Sequence, residues 1–160
     1  MSFGRPGMFA PLLFVPAVVF LASCGLFHTT SASAGMGQEV VDGRFAFIVT
    51  DISTSPTFGP TNARGAWSIV SMAIRNVGTG PRSFEMAAQS LTDSDGRGHS
   101  ATLMEPPLAN KIDPGLQVSV RLAFDVPPGA RPKQIVLRES ASSPGAPVTL
   151  VQPSSSTPRG

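Results

Sequence analysis

A chain of 160 residues has room for one domain with tails. The formal charge of +2 conceals an even balance: residues 39–139 carry ten basic and ten acidic side chains, and Arg44, Arg64, Arg75, Arg82 and Arg97 are spread singly. With no Lys/Arg cluster there is no electrostatic footprint for nucleic acid, and sixteen Gly with sixteen Pro argue for short all-β elements rather than helices.

Residues 1–23 read as a targeting segment, with Arg5 in a positive n-region and an uncharged apolar run at 8–21 (MFAPLLFVPAVVFL). A permanent transmembrane helix needs about 20 apolar residues, and this run is shorter and carries Pro11 and Pro16. The run ends on Leu21-Ala22-Ser23-Cys24, which resembles the bacterial lipobox. Cleavage between Ser23 and Cys24 would leave the chain's only cysteine at the new N-terminus, its sulfur carrying a diacylglyceryl group. A lone thiol in an exported protein is prone to oxidation unless it has a use; lipidation supplies one. Two or three acyl chains, at about 0.8 kcal/mol per buried methylene, anchor firmly without a basic patch. The rival site is Ala32-Ser33-Ala34, where cleavage after Ala34 releases a soluble secreted protein. It lies about a dozen residues beyond the apolar run, a long reach for the ordinary peptidase.

Residues 24–38 form the lipidated N-terminus and a flexible tether (GLFHTTSASAGMGQ over 25–38), without hydrophobic periodicity and spanning about 20 Å on average. The fold is expected over 39–151. Residues 44–52 (RFAFIVTDI) set Phe45, Phe47 and Val49 on one face of a strand. Residues 53–66, with two Pro and two Gly, read as a long loop. Residues 67–76 (WSIVSMAIRN) are apolar on both faces, Val70, Met72 and Ile74 against Trp67, Ile69 and Ala73. Such a strand belongs mid-sheet with a cover on its outer side. The stretch 83–93 is ambiguous between helix and strand, but Asp95-Gly96 signals a hairpin joining 89–94 to 97–102, with positive φ at both turn positions. After a loop over 101–114, residues 116–124 (LQVSVRLAF) alternate with Leu116, Val118, Val120, Leu122 and Phe124 all inward. Residues 133–139 place Ile135 and Leu137 inward, and 148–151 form a short edge strand. Residues 152–160 are a disordered Pro/Ser tail. About seven strands without a long helix imply an immunoglobulin-like antiparallel β-sandwich, and a single cysteine excludes an internal disulfide.

Five motifs, in order, carry a further resemblance. They are Asp42-Gly43-Arg44-Phe45-Ala46-Phe47, Ile74-Arg75-Asn76-Val77-Gly78, Leu91-Thr92-Asp93-Ser94-Asp95-Gly96-Arg97, Pro114-Gly115 and Phe124-Asp125-Val126-Pro127. The chain is similar here to the immunoglobulin-like domain of unknown function in actinobacterial extracellular proteins and lipoproteins, a group that includes the mycobacterial immunoprotective extracellular protein family. The resemblance implies a β-sandwich outside the cytoplasmic membrane and brings no catalytic residues.

Chemistry is sparse. Nucleophilic catalysis needs a base beside an activated Ser or Cys; the two histidines are His28, in the tether, and His99, beside the hairpin. Asp93, His99 and Ser94 or Ser100 sketch a triad, but alternate side chains of one tight hairpin point to opposite faces. Asp93 and Asp95 miss the calcium-loop register because Gly96 follows Asp95 directly. Met72, Met86 and Met104 are scattered and read as packing rather than a soft-metal site. No enzyme, metal or cofactor is expected. Loops on a rigid sandwich are where binding resides, and Phe58, Asn62 and Arg64 in the first long loop are the candidate partner contacts. An exposed edge strand offers strand addition as another mode. The expected role is a membrane-anchored envelope lipoprotein with a non-catalytic interaction module, its partner an envelope protein or extracellular ligand. The alternatives are a small-molecule or lipid carrier, with a cavity between the sheets, and a soluble secreted protein.

Overall fold

Extended backbone sends alternate side chains to opposite faces, so Phe45, Phe47 and Val49 stand together, and all three are fully shielded from solvent. The computed structural model describes Met1 and residues 33–150. The expected leader, the Ser23/Cys24 site and the tail 152–160 lie outside the described residues. Two sheets face each other. One runs, in spatial order, β2 (Glu39–Asp42), β3 (Phe45–Phe58), β4 (Thr61–Asn76), β8 (Gln117–Val126) and β7 (Leu103–Glu105). The other runs β1 (Ala34–Gly35), β10 (Ala146–Thr149), β9 (Pro132–Leu137), β5 (Ser90–Asp93) and β6 (Gly98–Ser100). Neighbours are antiparallel except β1 and β10. The sandwich is as expected, with ten strands rather than about seven. β1 lies inside the expected tether and β7 inside the expected 101–114 loop. Neither shows hydrophobic alternation; both are short edges held by backbone pairing to a neighbour. No helix among the described residues is long and apolar enough to cross a membrane.

Between the sheets, Phe45, Phe47, Met72, Ile74, Leu122 and Phe124 meet Leu91, Ile135, Leu137 and Val148. Each is at most 2% exposed, so the larger side chains contribute roughly 1.5–3 kcal/mol apiece. Phe84 caps this layer edge-on to Phe45, with ring centroids 6.2 Å apart.

β3 departs from simple alternation. A bulge between Val49 and Asp51 shifts the register by one residue and turns Ile52, rather than Asp51, toward the core. Residues 53–66 are not a loop: β3 and β4 run on as one hairpin to a turn at Gly59-Pro60. Pro56 sits at the second irregularity, between Ser55 and Thr57, where a missing N–H costs no ladder bond. The hairpin tip folds back over the outer face of β4. There Phe58, Trp67, Ile69 and Ala123 form a second cluster with Ala63 and Leu103 against it. The two-faced strand is therefore central and covered, as its pattern requires, and its cover is its own hairpin.

Other expectations need correction. Leu116 precedes β8 and is 49% exposed, so the inward series is Val120, Leu122, Phe124 and Val126, with Val118 half-buried. The β5–β6 turn has positive φ only at Gly96 (82°), because it is a three-residue loop closed by Asp93 N–H to Arg97 O at 3.0 Å and not a two-residue turn. The ambiguous stretch holds a 3₁₀ turn at Met86–Ala88 leading into β5. β10 is flanked by β1 and is not an edge.

Candidate functional site

β8 ends at Val126 and β9 begins at Pro132, so one end of the sandwich gathers the 127–131 connection, the β5–β6 turn and the β3–β4 tip. Two carboxylates organise it. Asp125, opposite Trp67 on β4, accepts hydrogen bonds from Gly65 N (3.2 Å), Arg64 N (3.3 Å) and Arg64 Nε (3.1 Å). These bonds clamp the irregular stretch of β4 that precedes Trp67. Gly65 permits the approach, since a Cβ there would overlap the Val126 carbonyl oxygen and lie 3.1 Å from Pro127 Cα. Burial pushes the Asp125 carboxyl up, but the Gly65 N–H and the Arg64 side chain and N–H together hold it below the usual range.

Asp93 is 1% exposed. Its Oδ1 accepts from Asp95 N and Arg97 N, both at 2.9 Å, and its Oδ2 lies 2.9 Å from His99 Nε2. The His99 hydrogen bond, then the Arg97 N–H, hold its carboxyl below the usual range against the opposing pull of burial. With Asp93 ionised, the Nε2 proton faces the carboxylate and Nδ1 is left on the other ring edge. His99 and Asp125 line a common surface cleft of about 350 Å3 with Arg64, Val126, Pro127 and Pro128.

Of the residues picked from sequence, Phe58 is not an exposed anchor. It is 7% exposed, under the Arg121 guanidinium at 5.4 Å from its ring centroid. Asn62 and Arg64 are exposed on the tip, where both line a groove with Trp67 and Leu103. Trp67 packs without a disulfide partner, its Nε1 donating to Thr61 O at 3.1 Å. Asp95 pairs with Arg97 instead of sharing a site with Asp93. Among the described residues no three His, Cys, Asp or Glu side chains could hold a metal, Met72 is buried in the core, and Met86 and Met104 pack against it.

The Asp93–His99 couple is what the sequence reading named and then set aside. Opposition to opposite faces does not separate this pair: Leu91 faces His99 across the ladder, so Asp93 is its diagonal neighbour on the same face. The spacing of Asp and His around a Gly turn was the available signal. No serine joins them: Ser94 and Ser100 are exposed and make no hydrogen bond to His99.

The molecule is thus a two-sheet β-sandwich with polar clamps at its turns and a cleft at one end. The chain belongs to the family described as a domain of unknown function (DUF4352), whose model matches residues 34–147. Among solved structures it is similar to the yjhA protein from Bacillus subtilis, at 14% identity and TM-score 0.54, covering 74% of this chain and 99% of that one. It is also similar to the secreted protein MPT63 from Mycobacterium tuberculosis, at 14% identity and TM-score 0.55, covering 74% of this chain and 96% of the other. Both likenesses concern the fold. No curated protein matches the sequence.

Proposed function

We propose that this is an extracytoplasmic lipoprotein, held to the membrane through Cys24, whose sandwich is a non-catalytic interaction module working through the exposed β3–β4 tip around Asn62 and Arg64. The observation that carries the anchored reading is where the domain begins. Ala34 pairs with Val148, and Ser33 Oγ accepts from Thr149 Oγ1 at 2.9 Å and from Gln134 Nε2 at 3.3 Å. Cleavage after Ala34 would cut through β1, whereas cleavage before Cys24 leaves β1 whole and residues 25–32 as its tether. The likeness to a secreted protein supports export. The partner is an envelope protein or an extracellular ligand.

Replacing Cys24 with Ser is expected to abolish acyl labelling and the membrane fraction of the mature protein; unchanged membrane retention would overturn the anchor. A chain starting at Gly35 should be less stable than one starting at Gly25 by about 1–2 kcal/mol, the scale of one or two lost hydrogen bonds. Equal urea midpoints would remove the structural argument for the upstream cut. Asn62→Ala with Arg64→Ala should weaken capture of the envelope partner while lowering stability by no more than about 1 kcal/mol, the scale of the exposed Arg64–Asp125 pair.

A further inference from the structure

The cleft between Arg64 and His99 has an unusual balance of free hydrogen-bonding groups. The carboxylate that lines it, Asp125, is satisfied by two backbone N–H groups and Arg64 Nε, and Asp93, behind His99, by two backbone N–H groups and the His99 ring. The Arg64 side chain is 93% exposed, and its two terminal nitrogens bond to no described residue. His99, held at Nε2, makes no hydrogen bond through Nδ1 to any described residue. The remaining polar capacity is therefore a guanidinium edge and an imidazole nitrogen that becomes a donor on protonation. The rest of the wall is Val126, Pro127 and Pro128, and the prolines bring no N–H of their own.

We infer that this cleft binds a small organic oxyanion, a carboxylate or phosphate group on an apolar body. The oxyanion sits between Arg64 and His99, and the body lies on Val126, Pro127 and Pro128. Arg64 provides the planar fork that suits such a group. Asp93 acts through His99: it holds Nε2–H, so that the protonated ring presents Nδ1–H to the oxyanion. Asp125 holds the Arg64 backbone N–H and Nε, which keeps the exposed guanidinium at the rim of the cleft. The site stands whether or not Cys24 is lipidated, and it does not require space between the sheets.

The test is an NMR titration of the chain from residue 24 onward carrying Cys24→Ser, following the His99 imidazole with His28 as the internal reference. Hexanoate and hexyl phosphate are the probes; hexylammonium and inorganic phosphate are the controls. Saturable shifts at His99 with either probe, weakened about tenfold by Arg64→Gln, are the expected result. Arg64→Gln keeps the backbone N–H bond to Asp125 and should fold normally; His99→Asn is the second variant, read by the backbone amide shifts of Arg64, Gly65 and Val126, and should weaken the probes similarly. The two probes separate a carboxylate ligand from a phosphate one. The inference is overturned if His99 does not respond to either probe or if Arg64→Gln responds like the parent chain. It is equally overturned if hexylammonium shifts His99 as far, or if inorganic phosphate alone binds as well as hexyl phosphate.

Discussion

Replacing Asp42 with Ala is expected to cost about 3 kcal/mol of folding stability, read as a lower urea midpoint. Asp42 is 5% exposed at the end of β2. Its carboxylate accepts from Glu139 N at 2.7 Å, Gly145 N at 2.9 Å and the Ser143 hydroxyl, so one side chain ties the first sheet to the β9–β10 connection of the second. Removing it strands three donors at once. Burial pushes the Asp42 carboxyl up, but Ser143, the two N–H groups and the Arg138 charge hold it below the usual range. Asp93 and Asp125 are shifted the same way. A carboxyl that binds its proton more weakly when folded gives stability that is complete above the unfolded value of about 3.9 and lost as pH falls through it toward the folded value. Thermal stability should thus hold from neutral pH down to about 5 and drop below about 4. Asp42→Asn should narrow the gap between midpoints at neutral and acid pH; an unchanged gap would show that Asp42 is not part of the acid response.

Gly65→Ala is expected to be almost as damaging, at about 2–3 kcal/mol, because the added methyl group meets backbone, which cannot rotate away. The Val126 carbonyl, Pro127 and Pro128 all border the space that a Cβ would enter. Relief requires β4 to lift there, which breaks the bonds from Gly65 N and Arg64 N to Asp125 and loosens Trp67 beside them. Trp67 is the only tryptophan and is 4% exposed, so its emission should move to longer wavelength. Gly80→Ala is the control: a Cβ there meets nothing within 4 Å, and the same measurements should not change. Parent-like emission and stability in Gly65→Ala would refute the clamp.

Strands with strong alternation were legible because burial alone determines them. Phe45, Phe47 and Val49, the two faces of β4, and Ile135 with Leu137 all fall where their periodicity puts them. Elements set by pairing were not legible. β1 and β7 have no pattern of their own, and the hairpin tip looked like a loop because Pro56, Gly59 and Pro60 punctuate a segment whose order comes from folding back on Trp67. Leu116 shows the converse error, in which alternation continued past the last ladder position. The motifs that resemble a family were visible, yet their polar members do architectural work. Asp42 ties two sheets, Asn76 Nδ2 donates to Gly80 O and Ile112 O at 2.9 and 2.8 Å, and Asp93 and Asp125 clamp turns. Those motifs therefore foretold a fold and not a ligand. The exposed Arg64 and the half-buried His99 line one cleft only because the two sheets pack, a juxtaposition that no local spacing encodes.

The edges of the two sheets bear on how copies of the domain meet. β1, β2, β6 and β7, the four outermost strands, are two, four, three and three residues long, whereas β3 and β4 inside run to 14 and 16. β2 pairs with β3 only over Phe45–Ile48, so the flank of β3 beyond Ile48 is itself an edge, interrupted by two register shifts and by Pro56. Those interruptions disfavour a continuous ladder with the sheet of a second molecule along that flank.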